Sequence, residues 1–90
     1  MRALVVEDDL RLQQQIRGML EKAGFVVDAA ADGDEGLFLA TEYPLDIAII
    51  DLGLPRLSGI DLINRMRGAG KDYPVLILTA RDAVEDRVLG

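Results

Sequence analysis

Apolar residues fall along this chain in two alternating rhythms. Short, nearly continuous runs (Ala3-Leu-Val-Val6, Phe25 to Ala30, Leu45 to Asp51, Val75-Leu-Ile-Leu78) alternate with stretches where apolar residues recur every three or four positions. The first rhythm suits strands buried on both faces, the second amphipathic helices. Strand one is predicted over residues 2–7. Leu12, Ile16, Met19, Leu20 and Ala23 then mark one face of a helix, with Asp9 as N-cap and Gly24 as C-terminal stop. Residues 25–30 form the second strand. Asp32-Gly-Asp-Glu35 has capping-box spacing and opens a helix running to about Glu42. Strand three spans 45–51, and Ser58 caps a third helix carrying Ile60, Leu62, Ile63 and Met66, ended by Gly68 and Gly70. Pro74 opens strand four, and Asp82 begins a fourth helix.

A βαβαβαβ order with short connections predicts an α/β fold with parallel strands and right-handed crossovers. The pattern stops mid-unit at Gly90, so the chain reads as an incomplete domain. One further strand and helix, about 30 residues, would finish a five-stranded sheet.

Bulk properties narrow the function classes. Ninety residues suffice for one core. With aromatics at 4%, that core must be built from Leu, Ile, Val and Ala. The net charge of −6 speaks against nucleic-acid binding by this segment, since phosphate affinity needs a basic face. Cysteine and histidine are both absent. That excludes disulfides, thiol nucleophiles, thiolate metal sites and imidazole chemistry. No apolar stretch approaches the roughly 18 residues of a membrane span, and the N-terminus has no signal-peptide pattern. A cytoplasmic location is expected.

The strand ends carry the chemistry. Strand one runs into Glu7-Asp8-Asp9, strand three ends on Asp51 ahead of Leu52-Gly53-Leu54-Pro55, and strand four runs into Thr79. Open α/β folds place their ligands at the carboxyl edge of the sheet. Glu7, Asp8 and Asp51 would form an all-oxygen cluster suited to Mg²⁺ or Mn²⁺, with charge crowding that a divalent ion relieves. Caps and turns are the bland alternative, but Asp9 alone serves as the cap. A carboxylate beside bound Mg²⁺ can accept a phosphoryl group, which makes Asp51 the candidate nucleophile. The Thr79 hydroxyl could hydrogen-bond the incoming oxygens. Gly53 reads first as a backbone requirement and second as a carbonyl facing the cation.

These residues resemble the receiver domain of two-component response regulators. The matching segments are Leu4-Val-Val-Glu-Asp8, Asp46-Ile-Ala-Ile-Ile-Asp-Leu-Gly-Leu-Pro55 with Ser58-Gly59, and Pro74-Val-Leu-Ile-Leu-Thr-Ala-Arg81. Asp-Leu-Gly-Leu-Pro with Leu-Thr-Ala-Arg is most similar to the OmpR/PhoB-type transcriptional regulators, particularly PhoP-like members. The resemblance implies a flavodoxin-like, doubly wound parallel sheet, here of four strands in the order 2-1-3-4 with three full helices and the start of a fourth. It implies Asp51 as phosphoacceptor, Glu7 and Asp8 as the acidic pair, Gly53 as a cation ligand through its carbonyl, and Thr79 as the switch hydroxyl. The implied phosphodonor is a sensor histidine kinase.

Receivers also carry a lysine after strand five and a switch aromatic on that strand, and this chain has neither. Lys22 and Lys71 are its only lysines, both at helix ends leading into strands. Phosphorylation is therefore expected to be weaker than in a complete receiver. DNA would be reached only through a further domain, and self-association is expected along the bare edge of strand four. Two other readings compete: an interaction module without phosphotransfer, and an aspartyl-nucleophile phosphatase. The latter would want an acid two residues after the nucleophile, where this chain has Gly53.

Overall fold

The computed structural model describes residues 1–78, so Thr79 and the helix expected from Asp82 lie outside the described residues. The order is β1 (Arg2–Val6), α1 (Leu10–Lys22), β2 (Val26–Ala30), α2 (Gly33–Glu42), β3 (Ile47–Asp51), α3 (Gly59–Gly68) and β4 (Val75–Leu78). The strands form one parallel sheet in the order β2-β1-β3-β4. This is the flavodoxin-like arrangement expected. Strand limits differ slightly. Glu7 lies just beyond β1, Phe25 precedes β2, and Leu45 and Asp46 precede β3.

Helix ends are fixed by the predicted residues. The Asp9 carboxylate accepts from the amides of Arg11 and Leu12, Asp32 accepts from Glu35, and Ser58 Oγ from Asp61. Each side chain satisfies a donor that the first helical turn leaves unpaired. At the far end of α1, Gly24 adopts φ +96°. The Phe25 amide then reaches back to the Leu20 carbonyl and that of Gly24 to Glu21, closing a Schellman turn.

Alternation along the strands sends Leu4, Val6, Ala48 and Ile50 to one face, where they pack with Ala40 of α2, Leu62 and Met66 of α3, and Leu45, Leu54 and Leu57. Gly36 lets α2 approach β1. A Cβ there would lie 2.9 Å from a Val6 methyl. The opposite face, with Ala3, Val5, Val27 and Ile49, is met by α1 alone among the described elements.

That single helix corrects the expected burial of α1. Met19 is 71% exposed, Leu12 and Ala23 are exposed, and the one buried residue of the helix is Gln13. Ile16, Met19 and Leu20 instead border an open apolar groove of about 310 Å³ floored by Ile49, Leu76 and Leu78. Among the described elements α1 alone lies on this face, and it leaves part of the four-stranded sheet uncovered. β4 is likewise less buried than its apolar run predicts. Among the described residues it pairs only with β3, and Leu76 and Ile77 stand half exposed.

The amino edge is clasped by Arg2. Its guanidinium pairs with Asp28 at 2.9 Å and lies 5.0 Å from the centroid of the Tyr43 ring, while its amide donates to Asp46 at 2.7 Å. Stabilising contacts thus gather at the end of the sheet opposite the strand-end acids.

Two glycine substitutions should separate packing from propensity. Gly33 touches the Leu57 backbone so closely that a Cβ would collide with the Leu57 carbonyl, whereas Gly18 on α1 has open space. Gly33→Ala should lower stability by about 1–3 kcal/mol through overpacking. Gly18→Ala should raise it by about 0.5–1 kcal/mol through helix propensity. Urea unfolding midpoints check both.

Candidate functional site

β1 and β3 are neighbours, with Val6 opposite Ile50, so the chain exits of both strands open at the same level. Glu7 leaves β1 and Asp51 ends β3. Each of Glu7, Asp8 and Asp51 offers a carboxylate oxygen within 4.8 Å of the others. Asp8 is exposed, while Glu7 and Asp51 are buried, at 4% and 9% exposure. The sequence therefore named three acids that the fold does bring together.

Glu7 is held on several sides. Its amide donates to the Ala30 carbonyl at 3.0 Å, and its carboxylate accepts from the Asp9 amide at 3.0 Å. Its carbonyl accepts from Gln13 Nε2 at 3.0 Å, and the same nitrogen donates to the Ala30 carbonyl at 3.0 Å. Gln13 was not singled out in the sequence. Within Gln13-Gln14-Gln15 it looks like one more solvated polar residue, and nothing in the run marks it as the buried one.

Burial raises the Glu7 pKa above its ordinary value of 4.5. The Asp9 amide works against the rise, while the charge of Asp51 and the hydrogen bond and charge of Asp8 add to it. The folded chain thus binds the Glu7 proton more tightly than the unfolded one. Stability is highest where the group is protonated and is lost as pH rises from 4.5 through the raised value.

The loop after Asp51 is built by buried leucines and close backbone packing. The Gly53 amide donates to Asp51 Oδ1 at 3.3 Å. Gly53 has open space where a Cβ would stand and no positive φ, so the expected backbone demand for glycine is absent there. That demand falls on Gly59, where a Cβ would collide with the Asp51 carbonyl, and on Gly33 beneath Leu57. Leu54 and Leu57 anchor the loop in the core. Between them Arg56 takes φ +70°, and the Leu57 amide donates across it to Pro55 at 2.8 Å, a tight positive-φ γ-turn. The Arg56 guanidinium lies 3.9 Å from the carboxylates of Asp32 and Asp34. Leu78 is the register partner of Asp51, and Thr79 is the next residue in the sequence.

Three acids thus converge at the carboxyl edge of the parallel sheet, an all-oxygen donor set of the kind that suits a hard divalent cation. Residues 3–89 match the response regulator receiver domain, and the chain belongs to that family. It is 49% identical over 90 residues to the two-component response regulator PhoP of Pseudomonas aeruginosa, covering 100% of this chain and 40% of that protein. It is 46% identical over 88 residues to the virulence transcriptional regulatory protein PhoP of Salmonella typhimurium, covering 98% and 39%. The chain thus spans about 40% of the length of these curated relatives. Among solved structures it superposes on the response regulator TrrA of Thermotoga maritima, in complex with Mg²⁺ and BeF, with TM-score 0.84 and 28% identity, covering 94% of this chain and 74% of that one. The OmpR/PhoB-type, PhoP-like resemblance is borne out.

Among the described residues no helix is long and apolar enough to cross a membrane.

With divalent cations absent, unfolding free energy should fall as pH rises above 4.5 through the raised Glu7 value. Glu7→Gln keeps an acceptor for the Asp9 amide and removes the charge. It should flatten that dependence and raise the neutral-pH thermal midpoint by a few degrees. Denaturation series from pH 4 to 8 provide the check.

Proposed function

We propose that this chain accepts a phosphoryl group on Asp51, donated by a phosphohistidine of a sensor histidine kinase, and that the parent protein uses the reaction to control transcription. One observation carries the reading. Asp51, buried at the mouth of β3, has Glu7 and Asp8 within 4.8 Å.

The donor set fits a hard divalent cation. Asp8, Asp51 and the Gly53 carbonyl would hold Mg²⁺ or Mn²⁺ directly, with Glu7 acting through water. Such an ion supplies charge neutralisation for the phosphoryl oxygens and for the crowded acids. In the transfer, an Asp51 carboxylate oxygen forms the new bond to phosphorus as the phosphorus–nitrogen bond of the phosphohistidine breaks. The released imidazole takes up a proton. The Asp51 rotamer is steadied by the Gly53 amide on Oδ1, which leaves the other oxygen to attack. Thr79, next after Asp51's register partner, would donate its hydroxyl to the phosphoryl oxygens.

The chain acts here as a switch rather than a turnover enzyme, and self-dephosphorylation resets it. Transcription control is supported by the similarity to the virulence transcriptional regulatory protein PhoP of Salmonella typhimurium. With a net charge of −6, this segment leaves DNA contact to a separate basic domain. On this reading it works in the cytoplasm. The half-exposed β4 edge supports pairing with a second copy.

Mg²⁺ should raise the thermal midpoint, because a ligand bound only by the folded chain stabilises it. Asp51→Asn should remove most of that rise and all labelling by acetyl phosphate. An equal Mg²⁺ response in the variant, or acid-stable phosphate on Ser58 or Thr79, would refute the assignment.

Sedimentation at micromolar concentration should reveal a dimer or larger species for the 90-residue chain. A monomer throughout would reject pairing at β4.

A further inference from the structure

α1 contributes a buried polar side chain to the back of the site, and the phosphotransfer scheme above gives it no task. Gln13 is 6% exposed. Its single amide nitrogen donates to the carbonyls of Glu7 and Ala30, both at 3.0 Å. Glu7 and Ala30 are the residues at which β1 and β2 release the chain at the carboxyl edge. One side chain therefore ties two strand ends to the first turns of α1, using both of its N–H groups. Its oxygen accepts from Gln14 Nε2 at 3.3 Å.

The tie closes a ring of short links around the acidic segment. From Glu7 the chain passes through Asp8 to Asp9. The Asp9 amide donates to the Glu7 carboxylate, and the Asp9 carboxylate caps α1 at Arg11 and Leu12. The Gln13 amide donates to the Asp9 carbonyl at 2.9 Å, and the Gln13 side chain returns to Glu7. Glu7 and Asp8 thus sit inside a ring whose two anchors are Asp9 and Gln13. Asp9 fixes the near end of the helix, and Gln13 fixes its distance from the sheet.

We propose that Gln13 is a positioning residue for the cation site, setting where Glu7 and Asp8 stand relative to Asp51. The inference rests on the reading of these three acids as the Mg²⁺ site. Without the Gln13 donor, the Glu7 carbonyl loses its side-chain partner, and α1 is free to shift against the strand ends. The two acids on the connecting segment then no longer meet Asp51 at a fixed separation. Groups that orient metal ligands in this indirect way typically change affinity by about 10- to 100-fold. Gln13 touches a backbone carbonyl rather than a ligand atom, so the lower end of that range applies.

The test is calorimetric titration of the whole protein with MgCl₂, well below each variant's thermal midpoint. Gln13→Met keeps the length and removes the donors. Gln13→Asn keeps an amide that is too short to reach both carbonyls, and it serves if the Met variant does not fold. Met66→Ala, in the core under α3, supplies a control of lowered stability away from the site. The expected result is about tenfold weaker Mg²⁺ binding for Gln13→Met, a smaller loss for Gln13→Asn and an unchanged constant for Met66→Ala. Full affinity in both Gln13 variants, even with a lower thermal midpoint, would overturn the inference and leave the site reading intact. No binding by the unsubstituted protein would overturn the site reading and the inference together.

Discussion

Everything at the carboxyl edge depends on the parallel register between β1 and β3. Pairing Val6 with Ile50 places the next residues of both strands, Glu7 and Asp51, side by side. A slip of one residue would turn each side chain to the opposite face of the sheet. The register is held by the core itself, because Leu4, Val6, Ala48 and Ile50 must all face α2 and α3 together. Hydrophobic burial far from the acids thereby enforces a placement that electrostatic repulsion between them opposes.

The opposing term is visible in Glu7, whose proton affinity is raised by burial and by its acidic neighbours. Backbone donors reduce the penalty. The Asp9 amide serves Glu7 and the Gly53 amide serves Asp51. Asp9 thereby caps α1 with its side chain and steadies Glu7 with its amide, so one residue links helix initiation to site electrostatics. Arg56 makes a comparable link on the other side. Its turn joins the loop after Asp51 to the acids at the start of α2, though ion pairs this exposed and long contribute little stability.

Most of the fold was legible because its signals are local and periodic. The caps at Asp9, Asp32 and Ser58 and the stop at Gly24 are short-range hydrogen-bond solutions, and the four apolar runs end within a residue or two of the observed strands. The acids of the site were legible because each lies at or just beyond the end of an apolar run that forms a strand. The failures were matters of tertiary context. Met19 has perfect helical spacing but no described element packs over it, because coverage depends on how many helices share a face. Gln13 is buried by its distance from two carbonyls that lie 6 and 17 residues away. Gly53 looked sterically required from its place after the strand, while the crowding falls at Gly59, six residues later, where the chain folds back over Asp51.

The unequal covering of the sheet has a consequence for local unfolding. β1 is enclosed on both faces and paired on both edges, β3 nearly so, while β4 is half exposed and bounded by the open groove beside α1. Opening free energies follow buried apolar contact and protected pairing. The amides of β1 and the inner part of β3 therefore belong to the last unit to exchange with solvent, and those of β4 to an earlier one. The two strands that carry the acids lie in the slow unit. β4, half exposed among the described residues, lies in the fast one, so the acids stand on the part of the sheet that opens last.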